Sequence, residues 1–307
     1  MKILVTAGSG FIGSHLIDKL LNNGHEVVNL DRIPSKYPSK AKFVQGDILD
    51  LDSLVKTCQG IDYIYHLAAE ANVDRMIKDP IFSTRINVMG TLNILEAARR
   101  NNCKRVLLAS TSWIYANTPE TKVDEETRLF PPFPDHLYVS GKMAAEMFLI
   151  NYQKHFAVPY TIMRFDVSFG PRSKPETVNH IFLRRAFNGE PIVIHGSGEH
   201  YRQFIYIDDL VDGCVACLKP EAENEIFSFS GAEQISIIEI AENIKKLLPE
   251  MNVSIEFQPA RKADYPGKMI DPSKAQRILG WKPNNTYYAG LAKYIAWFKD
   301  HELCYNK

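Results

Sequence analysis

Between the apolar run Lys2–Thr6 and a helical periodicity that begins at Phe11 lies the stretch Thr6-Ala-Gly-Ser-Gly-Phe-Ile-Gly13. A glycine turn set between a strand and a helix constrains a chain more than any other short pattern. One glycine permits the tight turn, a second lets the backbone approach a pyrophosphate, and a third packs the helix against its strand. The first N–H groups of the helix have no partner inside it, so they face an anion readily. Gly8, Gly10 and Gly13 stand at the spacing this arrangement needs, and Phe11 and Ile12 lie within it.

The rest of the N-terminal half keeps the same rhythm. Apolar, β-branched strands are expected at 2–6, 26–30, "KFVQG", 62–68, 105–110 and 160–165. Helices are expected at 11–23, "LDSLVKTC", about 80–101 and about 137–156, with Ile12, Leu16, Leu20 and Leu21 turned inward on the first. Strands buried on both faces and separated by helices make a parallel sheet. The fold expected is α/β: a Rossmann-type doubly wound parallel sheet over residues 1–170, with a smaller α+β C-terminal substrate domain over 171–307. The core-like segment 203–218 is expected to return to the first domain.

Composition narrows the function classes. Lys+Arg and Asp+Glu are both 36, so a dedicated nucleic-acid or anionic-membrane binder is not expected. No signal-peptide pattern opens the chain and no apolar run approaches a membrane span, which reads as a soluble cytoplasmic protein. The five cysteines have no framework spacing. Cys214-x-x-Cys217 shares a helical face with Leu210 and reads as core packing, with no metal expected.

Three further clusters carry chemistry. Asp31 ends the second strand, where a carboxylate accepts both ribose hydroxyls of an adenosine and repels a 2′-phosphate, so NAD is favoured; Arg32 beside it leaves room for NADP. Asp47 and Ile48 of "GDILD" suit an adenine amino group and ring, or Asp47 caps the helix that follows. Tyr138-x-x-x-Lys142 places a phenol and an ammonium on one helical face. Bringing a phenol whose ordinary pKa is near 10 down to neutrality takes roughly 4 kcal/mol, which a lysine and a nicotinamide cation can supply in a dry site. Ser110, Thr111 and Ser112 end a strand, which is where ligands sit in such sheets.

As a set, "TAGSGFIGSHL", "GDILD", "YHLAAEANVD", "INVMGTLNILEAA", "STSWIY", "YVSGK", "FGPR", "GSGEHYRQFIYIDDL" and "DPSKAQRILGWKP" resemble the extended short-chain dehydrogenase/reductase family over nearly the full length. That family holds the nucleotide-sugar epimerases and dehydratases, and the likeness in type is to UDP-glucose/UDP-galactose 4-epimerases. The resemblance implies NAD as cofactor, with Leu67, Ala68, Ala69 and Phe165 along the nicotinamide-ribose path and Lys142 on that ribose. It implies Thr111 as the catalytic hydroxyl and Tyr138 as the base. Asn87 becomes a structural link, and Arg202 and Arg261 grip the diphosphate of a nucleoside-diphosphate sugar. It further implies a homodimer through the helices near 80–101 and 137–156.

The departures are specific. The dTDP-glucose 4,6-dehydratases carry Asp-Glu after the catalytic Thr, and here Ser112 and Trp113 stand there, which disfavours dehydration. Val167 replaces an asparagine common in UDP-sugar epimerases, and Asp166 replaces an aromatic. Asp166 is expected to pair with Arg164, with a substrate contact as the alternative. Glu70 and Asn72 are candidate sugar contacts or loop caps. The family's first glycine is Ala7 here, tolerable if its φ stays negative. The expected activity is epimerisation at C4 through a transient 4-keto sugar. A one-way ketoreductase or dehydrogenase on a nucleotide sugar is the second reading, and a dinucleotide-sensing regulator without activity is the third.

Overall fold

The computed structural model describes residues 1–129, 136–260 and 267–302. Its centre is one seven-stranded sheet, parallel throughout. The strands are β1 (Lys2–Thr6), β2 (Glu26–Asp31), β3 (Lys42–Gln45), β4 (Tyr63–His66), β5 (Arg105–Thr111), β6 (Tyr160–Phe165) and β7 (Glu225–Phe229). Their spatial order is β7-β6-β5-β4-β1-β2-β3. Every residue of β5 and β6 is buried, as expected of strands covered by helices on both faces. The strand order reverses between β1 and β4, and ligands bind at the carboxyl ends of strands beside such a point.

The first turn follows from its residues. Helix α1 (Phe11–Asn22) starts at Gly10 without a side-chain cap and without an acidic residue in its first turn. A Cβ on Gly13 would collide with the Ala7 carbonyl and stand 2.7 Å from Gly8 Cα, so only glycine lets the helix start this close to the strand. Leu16, Ile17 and Leu20 are the residues of α1 buried in the core; Ile12 and Leu21 are half-buried. Ala7 differs from expectation. Its φ is +53°, so the left-handed conformation falls on an alanine and not on a neighbouring glycine.

Helix α2 (Leu51–Thr57) is capped by Asp50, which accepts from the Ser53 N–H. The expected long helix at 80–101 is interrupted. It comprises Pro80–Thr84, a π-helical turn at Arg85–Met89, and Gly90–Arg100. The π turn carries Asn87, whose side chain accepts from the Glu70 N–H and donates to the Glu70 carbonyl at 2.8 and 2.9 Å. Asn87 is therefore the structural link expected of it. The next long helix, Leu137–Phe156, covers the range expected for it.

After β6 the chain alternates between both parts of the molecule. The helix Ile207–Ala216 packs against α1, burying Leu210, Cys214 and Cys217. β7 then joins the edge of the main sheet beside β6, a strand the sequence reading did not assign. Among the described residues four short pairs organise the remainder: Ser168–Phe169 with Ile205–Tyr206, Ile192–His195 with Ile255–Gln258, Tyr201–Arg202 with Ile235–Ser236, and Lys122–Val123 with Met269–Ile270. Among the described residues, no helix is long and apolar enough to cross a membrane, and no group of three or more His, Cys, Asp or Glu could hold a metal ion.

Candidate active site

A groove crosses the carboxyl end of the sheet in two sections that share Ala7 and Ala69. The first section, about 600 Å³ including its open mouth, is lined by Asp31, Arg32, Asp47, Ile48, Ala68 and Glu70, among others. Asp31 accepts from the N–H groups of Ser9 (3.1 Å), Arg32 (2.7 Å) and Ile33, so its carboxylate is fixed at the lip of the glycine turn. Asp47 accepts from the Leu49 N–H and does not cap α2, a role that Asp50 takes. The Thr6 hydroxyl accepts from the N–H groups of Leu67 and Ala68 and contacts His66 Nδ1 at 3.0 Å, which holds the groove floor to β1.

The second section is larger, about 1080 Å³ including open space. Gly10, Phe11, Ile12, Gly13, Leu67, Ala69, Ser110, Thr111, Tyr138, Lys142, Phe165 and Asp166 all border it. Thr111 and Tyr138 border this section together, with the Thr111 hydroxyl near enough to act on the Tyr138 phenol. Burial pushes the Tyr138 phenol up to about 12, and the Thr111 hydroxyl pulls the other way. Lys142 donates to the Ala109 carbonyl at 2.8 Å, and its Nζ lies 5.9 Å from the Tyr138 ring centre. Burial brings Lys142 down to about 8, opposed by the Glu146 charge. Burial, which disfavours the phenolate, outweighs the Thr111 hydroxyl at Tyr138. A further positive charge in the groove is needed to stabilise the phenolate.

Beneath this pair lies a buried network that sequence reasoning missed. Glu146, one turn beyond Lys142, accepts from Arg164 through both carboxylate oxygens at 3.1 and 2.7 Å and from the Ser110 hydroxyl at 2.5 Å. Arg164 also donates to the Tyr115 hydroxyl at 2.6 Å. The expected Arg164–Asp166 pair is thus overturned. The strand ends at Phe165, the alternation of side chains breaks there, and Asp166 turns into the groove. Its Oδ1 accepts from Ser112 Oγ at 3.2 Å and from the Val167 N–H at 2.8 Å.

Several expected contacts are placed elsewhere. Gly8 faces Asn29 and Ile17 and lines neither section. Asn72 caps the helix Val73–Lys78 by accepting from the Arg75 N–H, and Glu70 accepts from the Asn72 N–H at 2.9 Å. Glu70 still borders the first section. Ser112 is buried against Asp166 and does not line the groove. Arg202 donates to the Tyr201 carbonyl and reaches Asp166 only through its charge. Arg261 lies outside the described residues. Phe82 and Ile86 border the first section, and Trp113, Ser168 and Lys174 the second, without having been anticipated. Lys174 follows "FGPR" closely enough that the motif could have pointed to it.

Residues 3–228 match the NAD dependent epimerase/dehydratase family. The chain belongs to that family. It is 31% identical to the UDP-glucose 4-epimerase of Mycolicibacterium smegmatis, covering 98% of this chain and 99% of that one. It is 30% identical to the human dTDP-D-glucose 4,6-dehydratase, covering 98% and 90%. Among solved structures, UDP-glucuronic acid 4-epimerase from Bacillus cereus, in complex with UDP-glucuronic acid and NAD, superposes with a TM-score of 0.89 at 30% identity, covering 98% and 99%.

The cofactor of this epimerase/dehydratase chain is NAD, and its residues fit that group. The N-terminus of α1 is open, carries no acidic residue and borders the groove, as a pyrophosphate requires. Asp31 would hold the adenosine ribose and discourage a 2′-phosphate, and Asp47 with Ile48 would flank the adenine. Leu67, Ala69, Phe165 and Lys142 border the section into which the nicotinamide half would extend.

Proposed function

We propose that the chain is a NAD-dependent nucleotide-sugar epimerase that inverts C4 of a nucleoside-diphosphate sugar. The observation that carries this reading is the Thr111–Tyr138 hydroxyl pair in the same groove as the open α1 terminus and Lys142. Bound NAD supplies a hydride acceptor and, once reduced, a donor. Tyr138 takes the proton of the C4 hydroxyl, and Thr111 bonds the same oxygen and keeps it in line with the phenol. Lys142 is anchored to Ala109 and orients toward the cofactor ribose, adding positive charge near Tyr138 once a ligand excludes water. When the 4-keto sugar presents its other face, Tyr138 returns the proton.

On the substrate side, Arg202 and Arg261 act as diphosphate holders, and Asp166, which borders the second section, lies beside the sugar. The UDP-glucose and UDP-glucuronic acid enzymes among the similar proteins support a UDP-sugar. Ser112 and Trp113, neither an acid, stand after Thr111 and count against a dehydratase of the dTDP-glucose type.

The test is turnover of UDP-glucose and UDP-glucuronic acid with NAD, followed by NMR of the sugar and NADH absorbance. Inversion at C4 without net NADH supports the reading, and stoichiometric NADH would make the chain a dehydrogenase instead. Tyr138→Phe is expected to lower kcat by roughly 10²–10⁴. Normal rates in that variant would sink the mechanism.

A further inference from the structure

The hydride chemistry just described uses Thr111, Tyr138 and Lys142 and gives the carboxylate of the second section no part in proton transfer. Asp166 is the only carboxylate among the described residues that line the second section. Its placement is constrained. Oδ1 is held by Ser112 Oγ and by the Val167 N–H, and its own N–H donates to the Phe229 carbonyl at 2.9 Å across the sheet edge. Oδ2 has no hydrogen bond among the described residues, and the side chain is half-buried where it borders the groove. Asp166, Thr111 and Tyr138 line the same section, so this carboxylate shares the groove in which the Thr111–Tyr138 pair works.

A ketone acidifies the C–H bonds on both sides of it, because the electron pair released can move to the carbonyl oxygen. Resting on the epimerase reading, the geometry points to Asp166 as a second acid–base residue that removes and returns a proton at a carbon flanking C4. In the forward step the C–H bond at C3 or C5 of the 4-keto sugar breaks. The proton forms an O–H bond with the Asp166 carboxylate, and the C–H electron pair becomes the C=C bond of an enolate whose charge rests on the C4 oxygen. Thr111 and Tyr138 already hold that oxygen. Return of the proton from Asp166 regenerates the ketone, and return to the opposite face by solvent would invert that carbon. No external oxidant or reductant is consumed.

The other ionisable groups of this section serve the step less well. Lys142 is engaged with Ala109, and Tyr138 is committed to the C4 oxygen. Lys174 is an exposed cation that lines the section and can attract the substrate's anionic part. Burial pushes the Asp166 carboxyl up to about 7, while the Val167 N–H, Ser112 and the Arg202 charge pull it down. Acid and carboxylate are therefore both populated near neutrality, which suits a group that must take and return a proton.

The experiment is turnover in D₂O with NAD and UDP-glucose, UDP-glucuronic acid or dTDP-glucose, followed by mass spectrometry and ¹H NMR of the recovered sugar nucleotide. Wild-type protein is expected to place solvent deuterium on C3 or C5, and Asp166→Asn is expected to lower label per C4 inversion by roughly 10²-fold or more. C4 inversion or a transient NADH signal with no carbon-bound deuterium in wild type overturns the inference and leaves the epimerase reading standing. Undiminished label in Asp166→Asn overturns it as well. If no sugar nucleotide gives inversion or NADH, the epimerase reading fails and takes this inference with it.

Discussion

Lys142 donates to the carbonyl oxygen of Ala109 at 2.8 Å, which draws its ammonium back under the sheet end on the same helix that presents Tyr138. Among the described residues the charge that supports it is Glu146, and Glu146 is already bonded to Arg164 and Ser110. Burial then dominates and the ammonium becomes unusually acidic, at about 8 against an ordinary 10.5.

That shift has a consequence for stability. Between about pH 8 and 10.5 the unfolded chain keeps this proton and the folded chain does not, so the contribution of Lys142 to stability rises with pH. It is fully present above the unfolded value and lost as pH falls through about 8. The difference in unfolding free energy between wild type and Lys142→Met is expected to change across this window by up to about 3 kcal/mol. Urea unfolding at a series of pH values measures it, and a flat difference would contradict the burial described.

Asp31 is expected to set cofactor choice. Asp31→Ala removes the acceptor of the Ser9 and Arg32 N–H groups and the partner for an adenosine ribose. NAD affinity should fall roughly 10- to 100-fold, the size of a lost charged hydrogen bond. NADP should gain relative to NAD, because Arg32 remains at the lip. Calorimetric titration with both dinucleotides checks this, and unchanged NAD affinity would remove Asp31 from the cofactor site.

Ala7 holds a left-handed backbone, with its N–H on the Leu30 carbonyl and its carbonyl accepting from Gly10. Left-handed geometry costs a residue with a Cβ about 1–2 kcal/mol, part of which glycine gives back through its freer unfolded state. Ala7→Gly is expected to stabilise the protein by about 0.5–1 kcal/mol in denaturant unfolding. Ala7→Val should destabilise it and weaken NAD binding, since residue 7 borders both sections of the groove.

The expected homodimer has a candidate face. Ile77 and Ile81 are 69% and 75% exposed, Met147 on the Tyr138 helix is 62% exposed, and the helices that carry them pack side by side. A second copy of the chain is the expected cover. Sedimentation of wild type should give twice the chain mass, and Ile81→Glu combined with Met147→Lys should give the single mass. A monomeric wild type would leave the face without that partner.

Elements whose residues are buried on both sides could be read from the sequence, because a continuous apolar run such as "RVLLAS" has few other places to go. The Tyr138–Lys142 helix was legible for a related reason, since its spacing alone puts both groups on one face. What escaped depended on distant chain. "EIFSF" becomes a sheet strand only because β6 offers its edge. Arg164 chose Glu146 over the nearer Asp166 because side-chain direction ends its alternation at Phe165. The φ of Ala7 is set by how closely α1 must start against β1, which one alanine in a glycine turn does not announce.

The place of β7 bears on how the molecule must be made. A ribosome delivers the six other strands of the sheet well before Glu225–Phe229 emerges. Until then β6 carries an open edge with Ile162, Met163 and Phe165 beside it, all of which end up buried. A bare edge of this kind invites pairing between chains. Long-range parallel pairing is also slow to form. Expression of residues 1–170 alone should therefore yield aggregates, and a soluble fragment is expected only once the chain extends past Phe229.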